Sequence, residues 1–385
     1  MGYGITILGW VVSLYDIFRN KEMVKKKELF ILHDVDGRIY FEALQQLMNE
    51  KIEGTIKYRE TSVVKKLLSA ILKKKDVSLW FKRGIQNTLF RFQLPFLKNK
   101  TIIFGIAPYN IRFLFYGLLG IRNNVIYHTS WPYWWGDNVP YPYNGRNKFL
   151  RKIFKFYFNK FNFSIVGVTP PCVESIKSEI SSKVKCKFIP HAVNVDLFKD
   201  ETVKNIRPVN ILYVGRLVCE KGIYELASAI KKLDPVYRFT IVGTGIEEAN
   251  LKTMLGQLDN VKFMGHISDK SKLAAIFKEH DVLVLPSKKI DGWEELFGLV
   301  IIEAMACGLV VIASNHIGPR GIINDGKNGF LISDGNLTSE LVTKIEELNE
   351  LDLTTLRIEA RKTAIDYDIG SIKGKWDEVI NETQY

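Results

Sequence analysis

Short apolar segments and amphipathic segments alternate at nearly constant spacing through the carboxyl-terminal half of this 385-residue chain. The first apolar segment, 209–214, ends at Gly215, and the following segment, 222–233, places its apolar residues on one helical face. Further strands are predicted at 238–242, 261–264, 281–285, 310–313 and 329–332, and further helices at 247–258, 270–279 and 299–307. Strands and helices that alternate in this way predict βαβ units and a buried parallel sheet.

The amino-terminal half shows the same kinds of segment at less regular spacing. Strands are predicted at 29–33, 101–106, 124–128 and 164–168, and helices at 41–51 and 172–180. A polar stretch at 198–208 precedes a fresh strand and marks a domain boundary. We therefore expect one α/β domain over residues 1–200, a second over 201–350, and terminal helices over 351–385, a length that suffices for two cores.

The composition, 46% apolar and 25% charged, is that of a soluble globular protein and excludes disorder, collagen and coiled coil. The four cysteines form no C-x-x-C pair, so we expect neither a zinc site nor a disulfide framework, and a reducing compartment fits best. The apolar run 5–15 is shorter than the roughly 20 residues that span a bilayer, and it lacks the features of a signal peptide. A core element and an interfacial anchor are both open interpretations of this run.

The formal charge of +12 is unevenly distributed along the chain. Residues 1–200 hold 32 basic and 15 acidic side chains, whereas residues 201–385 hold 22 basic and 27 acidic ones. A basic excess confined to one half indicates that this half faces a polyanion or an anionic membrane. The asymmetry by itself does not choose between the two.

Two carboxylates, Glu295 and Glu303, flank the predicted start of the helix at 299–307. Gly298 directly precedes that helix, so the backbone N–H groups of residues 297–300 can open onto a bound anion. Glu303 lies about one turn into the helix, within reach of sugar hydroxyls. Glu295 precedes the turn and can reach a group on the far side of the phosphate. Two solvated glutamates beside a helix are the structural alternative.

Two cations follow the first strand of the carboxyl-terminal domain. Arg216 stands directly after Gly215, at the carboxyl edge where open α/β sheets bind ligands, and Lys221 precedes the next helix. Together they can hold a diphosphate without a metal, arginine through its fork and lysine as a point charge. A pair of solvated loop cations is the alternative. A further glycine-bearing loop, 318–321, is expected at the same edge.

These motifs, in this order, resemble the carboxyl-terminal domain of glycosyltransferase family 4, whose members are retaining enzymes of the GT-B fold. The resemblance runs from ILYVGRLVCEKG through FTIVGTG, VKFMGHIS and DVLVLPS to EELFGLVIIEAMACG and INDGKNGFLI, with FIPHAVNVDLF as a similar lead-in. Each motif alone is weak, but six at consistent spacing are specific over residues 188–335. The resemblance implies two Rossmann-like domains that face a cleft, with terminal helices that cross back to the first domain.

The resemblance also implies a role for each matching position. Arg216 and Lys221 are expected to bind the donor diphosphate and stabilise its charge as it leaves. Glu303 is expected to bind the ribose hydroxyls, and Glu295 to contact the donor sugar. The remaining expected donor contacts are Gly215, Ile267 near the base, and the backbone at Phe297, Gly298, Leu299 and Val300.

The resemblance places one further residue, His128, close to the transferred sugar, because it ends the predicted strand 124–128. A buried histidine that is hydrogen-bonded to the backbone is the alternative. One position departs from the family: members commonly carry Glu after the Gly-Pro-Arg turn, where this chain has Gly321. The resemblance therefore implies no side-chain role at that position.

Two other motifs point to different chemistry and are disfavoured. Asp34 and Asp36 form a D-x-D pair of the kind that holds Mg²⁺ or Mn²⁺ against phosphates, but an ordinary turn explains Asp36 and the cations already serve the phosphates. The glycines at 243 and 245 lack the third glycine of a dinucleotide fingerprint, because position 248 is glutamate. We therefore expect no metal, no cofactor and no dehydrogenase activity.

Two basic amphipathic segments, 63–75 and 147–161, lie in the amino-terminal half. Each suits an anionic membrane interface, and a core-facing helix with a solvated cationic face is the alternative. Trp131, Trp134 and Trp135 follow His128 closely, and they can stack on sugars, meet lipid headgroups or belong to the core. Nucleic acid would also favour cations and aromatics, but no nucleic-acid motif accompanies them.

The sequence leads to the hypothesis of a metal-independent, retaining glycosyltransferase that moves a hexose-type sugar from a nucleotide-sugar to a glycan or lipid-linked acceptor. The resemblance favours bacterial surface-polysaccharide assembly, of O-antigen (lipopolysaccharide) or capsule. We expect the protein in the cytoplasm, peripheral at the inner face of the cytoplasmic membrane. Another GT-B enzyme, such as a nucleotide-sugar epimerase, and a non-catalytic protein that binds membrane or nucleic acid are the alternatives.

Overall fold

The computed structural model describes residues 28–34, 37–50, 54–61, 71, 77–134, 145–180, 184–200, 209–291 and 293–382. The apolar run 5–15, Asp36, Trp135 and nearly all of the segment 63–75 lie outside the described residues. Two parallel sheets form the two halves of the molecule. The strands are β1 (Glu28–His33), β2 (Thr55–Glu60), β3 (Thr101–Gly105), β4 (Asn124–Thr129), β5 (Phe163–Gly167), β6 (Lys185–Phe188), β7 (Asn210–Val214), β8 (Arg238–Val242), β9 (Val261–Gly265), β10 (Val282–Leu285), β11 (Val310–Ser314) and β12 (Phe330–Ile332).

Helices connect the strands and cover the sheets. Those of the first half span Glu42–Glu50, Val77–Gln93, Phe113–Tyr116, Gly145–Lys160, Pro170–Glu179 and Val195–Phe198. Those that follow span Ile223–Ile230, Glu248–Leu255, Lys270–Lys278, Leu299–Ala306, Ile317–Arg320, Leu337–Glu347, Leu353–Ile365 and Ile369–Glu382. The α/β fold with two Rossmann-like domains that the sequence predicts is confirmed.

The second sheet has the strand order β12-β11-β10-β7-β8-β9, which is the order of the doubly wound dinucleotide-binding fold. Its central strands β10 and β11 are buried at every position, because helices cover both faces of the sheet. In such sheets ligands bind outside the carboxyl ends of the strands, where the strand order reverses. Here that point lies between β7 and β10.

The first sheet has the order β2-β1-β3-β4-β5-β6, so its reversal point lies between β1 and β3. The edge strands β2 and β6, which the sequence analysis did not predict, have the mixed sequences TIKYRE and KCKF and are only partly buried. A strand that is covered on fewer sides needs fewer apolar residues. It therefore loses the continuous apolar run by which a buried strand is recognised.

The last two helices lie on different halves of the molecule. Ala360 and Ala364 of the helix Leu353–Ile365 belong to the core of the second half. Trp376 of the final helix packs instead on the first half, beside Phe41. The chain thus crosses between the halves near residue 200 and again near residue 367. The two crossings are hydrogen-bonded to each other, since Val193 N donates to Tyr367 O at 3.0 Å.

The helix Gly145–Lys160 covers most of the predicted amphipathic segment 147–161. Leu150, Phe154 and Phe158 are buried in the first core, whereas Phe149 and Phe156 are exposed. Most of the apolar residues of this helix therefore pack inward. Across the described residues, we find no helix with the combined length and apolar character that crossing a membrane requires.

Candidate active site

A cavity of about 600 Å³ lies between the two sheets. Both reversal points open onto it, so the strand order of each sheet places a ligand site at this position. Its lining from the strand ends comprises His33, Asp34, Gly105, Val214, Gly215, Arg216 and Leu285. Residues from both halves can therefore contact one molecule bound here.

Lys221 and Glu295 form an ion pair inside this cavity, with both side chains largely buried. The Lys221 ammonium also lies 5.1 Å from the ring centroid of Trp293, within range of a cation–π attraction. Ser287 Oγ donates a hydrogen bond of 3.4 Å to the same carboxylate. The ammonium thus has a fixed position, and a phosphate that enters the cavity would compete with Glu295 for it.

Gly222 lets the loop that carries Lys221 lie directly against the end of β10. Its φ is +65°, a conformation that favours glycine, and a Cβ atom here would lie 1.7 Å from the carbonyl oxygen of Pro286. Any side chain would therefore push this loop away from the strand and move the ammonium. In the Lys-Gly pair of the sequence, Lys221 thus supplies the cation, and Gly222 allows the close approach of the backbone to Pro286.

Arg216 follows β7 and lies at the cavity with its side chain 62% exposed. Its Nη2 atom is 3.5 Å from a carboxylate oxygen of Glu220. Exposed ion pairs of this kind contribute little free energy. The guanidinium can therefore leave Glu220 for a ligand phosphate at small cost.

The helix Leu299–Ala306 begins at the cavity. Gly298 precedes it in the left-handed conformation with φ +92°, and no described side chain caps its first turn. The backbone from Phe297 to Val300 lines the cavity. The N–H groups of this first turn that lack a helical partner are therefore able to bind an anion beside Lys221.

Glu303 and Ile267 lie on the same half, but neither lines this cavity. Burial raises the pKa of Glu303 to about 7, an effect that Lys270 opposes and Glu42 reinforces. Lys270 and Glu42 themselves form an ion pair of 2.5 Å that joins the two halves. Glu303 is thus a carboxyl group beside an interdomain contact, protonated in part of the population near neutral pH.

His128 on β4 is buried and lines the cavity from the first half. Its ring centroid lies 5.7 Å from that of His191. Burial, with smaller effects of His191 and His33, holds the pKa of His128 well below its usual range, and burial lowers the pKa of His191 to about 3. Both rings are therefore neutral at pH 7 and can offer a nitrogen to a sugar hydroxyl without carrying charge.

Two buried ring nitrogens in the cavity, His191 Nδ1 and Trp131 Nε1, have no hydrogen-bond partner among the described residues. Buried polar atoms nearly always have a partner, so these two atoms are available to hydrogen-bond a polar ligand or water in the cavity. Trp134, by contrast, is fully buried in the first core. Of the two described tryptophans after His128, Trp131 thus lines the cavity and Trp134 belongs to the core.

His316, which the sequence analysis did not single out, holds the backbone of Glu295. Its Nδ1 atom accepts the Glu295 N–H at 3.1 Å, and its Nε2 atom lies 3.0 Å from each carboxylate oxygen of Asp334. Because Nδ1 accepts, Nε2 carries the hydrogen and donates it to Asp334. The only sequence signal for this role is that His316 follows β11 at the ligand-binding edge.

Glu294, also not singled out from the sequence, joins the halves across the cavity. Its carboxylate accepts hydrogen bonds from the Tyr133 hydroxyl and, at 3.3 Å, from Ile317 N. The rings of His191 and Phe297 meet edge to face beside the same cavity, with their centroids 4.8 Å apart. Adjacent glutamates thus have different surroundings: one faces the first half, while Glu295 faces Lys221.

The fold and the cavity together define a class of protein. Two Rossmann-like domains that present their ligand-binding sheet edges to one cavity form the GT-B fold. Residues 195–366 match the family described as glycosyl transferases group 1. The carboxyl-terminal half of the chain is therefore similar to this family, in agreement with the resemblance inferred from its motifs.

Relatives of known sequence and structure agree with this assignment. The chain is 36% identical over 172 residues to an uncharacterised 41.2 kDa protein in the cps region of Klebsiella pneumoniae, covering 42% of this chain and 46% of that one. It is 34% identical over 137 residues to the amylovoran biosynthesis glycosyltransferase AmsK of Erwinia amylovora, covering 34% and 33%. The matches thus span less than half of either relative. The crystal structure of HepE from Anabaena superposes with a TM-score of 0.67 at 17% identity, covering 92% of this chain and all of HepE.

Proposed function

We propose that this protein is a glycosyltransferase whose nucleotide-sugar donor binds to the carboxyl-terminal half. The observation that carries the proposal is the buried Lys221–Glu295 pair beside the uncapped start of the helix Leu299–Ala306. A cation and free backbone N–H groups at one place are suited to a diphosphate. The family match supports this, as does HepE, which was crystallised in complex with UDP.

The proposed reaction keeps the configuration of the transferred sugar. The acceptor hydroxyl attacks the anomeric carbon from the face that the diphosphate leaves, and the bond from that carbon to the phosphate oxygen breaks. The departing phosphate oxygen takes the acceptor's proton, so no strong protein base is needed. Arg216, Lys221 and the N–H groups at Gly298–Val300 stabilise the charge that develops on the leaving group. In this proposal the cations and the helix terminus do what a divalent metal ion does elsewhere, so the transfer needs no metal.

The acceptor is proposed to bind to the first half, where His128, His191 and Trp131 line the cavity. The basic excess of residues 1–200 favours an anionic or lipid-linked acceptor over a neutral one. A hexose-type sugar added in surface-polysaccharide assembly, of O-antigen or capsule, fits the relatives from a cps region and from amylovoran biosynthesis. Sugar transfer to a lipid-linked acceptor of this kind would take place at the inner face of the cytoplasmic membrane.

A screen of donor turnover over UDP-, GDP-, ADP- and dTDP-sugars tests the proposal. With purified protein in EDTA, we expect one donor class to release its nucleoside diphosphate, and the rate to rise with a crude lipid-linked acceptor. An epimerase would instead release free sugar at a rate that no acceptor changes. Turnover of no donor class, with or without acceptor and metal, would contradict the proposal.

A further inference from the structure

A row of large apolar side chains lies on the surface of the first half. Ile85, Leu89 and Phe92 share one side of the helix Val77–Gln93, and each is exposed. Phe96, in the 3-10 turn Leu94–Phe96 that follows the helix, is 84% exposed. The helix buries only Asn87 and Phe90 among its residues, so most of its apolar side chains do not serve the core.

A second apolar segment faces the end of this helix across a cavity of about 750 Å³. Phe115, Leu118 and Ile121 from the second segment line this cavity, as do Leu94 and Leu97 from the first. Phe115 is 75% exposed. We call the exposed residues of both segments and the cavity between them the apolar face. Proteins that remain monomeric in water rarely expose so many adjacent large apolar side chains without a partner.

The charged side chains of the segments that build the apolar face are all cationic. Residues 77–134 contain seven Lys or Arg and no Asp or Glu. Three of these cations, Lys82, Lys98 and Arg122, are exposed and form no ion pair with a described carboxylate. An apolar surface with a cationic rim is complementary to a bilayer that contains anionic lipid. A neutral or basic protein partner would leave this charge unmatched.

The apolar face lies next to the candidate active site. Arg112 lines the apolar cavity, and its Nη1 atom is 3.1 Å from Asp34, which lines the cavity between the two halves. One ion pair thus separates the two cavities. A molecule held in a bilayer against the apolar face would have its headgroup near the opening of the active site.

We infer that the apolar face docks on an anionic lipid bilayer, with Phe92, Phe96 and Phe115 inserted among the acyl chains and the surrounding cations at the headgroups. This location differs from the segments 63–75 and 147–161 to which the sequence assigns membrane contact. The docking stands on the apolar face alone. Only its consequence, delivery of a lipid-linked acceptor to the active site, rests on the proposed function.

Flotation of the full-length protein with vesicles tests the inference. The vesicles contain phosphatidylcholine alone or a mixture of phosphatidylcholine and phosphatidylglycerol. We expect the wild type to float with the anionic vesicles, and the double variant Phe96→Ser/Phe115→Ser to lose at least tenfold in partition coefficient. The matched control is Phe149→Ser/Phe156→Ser, which removes two exposed phenylalanines from the helix Gly145–Lys160 and should change partition less than twofold. The variant Arg122→Gln should show a weaker dependence of binding on salt than the wild type.

Several outcomes would overturn the inference. They are absence of wild-type flotation at low salt, equal flotation of the Phe96/Phe115 variant, and loss of flotation by the control variant alone. A dimer in light scattering that the Phe96/Phe115 variant converts to monomer, without flotation of the wild type, would assign the apolar face to a second copy of the chain. Unchanged circular dichroism and melting temperature verify folding of each variant.

Turnover of a water-soluble nucleotide-sugar without vesicles separates this inference from the proposed function. The Phe96/Phe115 variant should keep the wild-type rate, because neither residue lines the candidate active site. Flotation without any turnover would refute the proposed function and leave docking intact. Turnover without flotation would refute docking on the bilayer and leave the proposed function intact.

Discussion

At the scale of single residues, the site combines features that the sequence reveals with others that it does not. Arg216, Lys221, Glu295 and Gly298 stand at positions where a strand ends or a helix begins, and the strand-helix alternation is enough to place them at one sheet edge. The contact between Lys221 and Glu295 is not predictable, because they lie 74 residues apart and only the packed loops bring them together. The hydrogen bond from Glu295 N to His316 is hidden for the same reason.

Glu303 leads to a prediction on pH. Its pKa of about 7 means that a ligand whose hydroxyls donate to the carboxylate must first displace a proton below that pH. If it binds the donor ribose, donor affinity should fall by about tenfold for each unit below pH 7 and level off above it. Titration of the donor nucleotide between pH 5.5 and 8.5 measures this, and Glu303→Gln should remove the dependence. If the wild-type affinity does not change across this range, Glu303 does not bind the donor ribose.

The same shift gives a stability difference with a defined sign. An unfolded glutamate ionises near its ordinary pKa of 4.5, whereas the folded one ionises near 7. The free energy of unfolding therefore falls as pH rises from 4.5 to 7. Glu303→Gln should therefore match the wild type below pH 4.5 and exceed it above pH 7, by up to about 3 kcal/mol. Urea unfolding at both ends of the window checks the sign.

At the scale of elements, the most deeply buried strands carry the clearest apolar runs. Strands β7, β10 and β11 appear within one residue of their predicted ends, because burial of nearly every position demands an apolar run. The less buried strands β8 and β9 are also found within one residue of their predicted ends. The edge strands β2 and β6 and the helix Val77–Gln93 were not predicted. Each is only partly buried, so the apolar pattern that reports a core position is weak or, in that helix, faces outward.

The loop between β10 and the helix Leu299–Ala306 depends on a neighbouring element for its position. His316 is 1% exposed and accepts the Glu295 N–H, so His316→Leu should leave this N–H and Asp334 without their partner, at about 1–3 kcal/mol. We expect a donor KM raised severalfold with a smaller change in kcat, and partial rescue by His316→Gln, whose amide can both accept and donate. A fall in melting temperature with unchanged KM would mean that His316 is structural only.

At the scale of the whole molecule, the two halves are joined by the chain crossings and by contacts beside the cavity. Tyr133 donates to Glu294 and Lys270 pairs with Glu42, so each half contributes one partner to each contact. The strand alternation predicts the two sheets but contains no information on these contacts. Their partners lie 161 and 228 residues apart, and their position follows from how the halves pack.

The histidines at this junction predict how the molecule responds to acid. The pKa of His191 is about 3 in the folded chain and near 6.5 once unfolded, so the unfolded state takes up the proton first. The free energy of unfolding should therefore fall as pH drops from 6.5 toward 3, by up to about 1.4 kcal/mol per unit for this residue. Urea unfolding from pH 7.5 to 4.5 measures the slope, which His191→Asn should reduce. An equal slope in both proteins would contradict burial of a neutral ring.

The central claim is that Lys221 holds the diphosphate of a nucleotide donor. Isothermal titration of UDP, GDP, ADP and dTDP into the wild type, Lys221→Ala and a control variant, Lys252→Ala, tests it most directly. Lys252 is a surface lysine paired with Glu248 on a helix away from the cavity. We predict that one nucleotide binds the wild type and the control alike, and that Lys221→Ala weakens it about 10- to 100-fold, as expected for loss of a charged hydrogen bond. Binding of none, or equal binding to Lys221→Ala, would contradict the account.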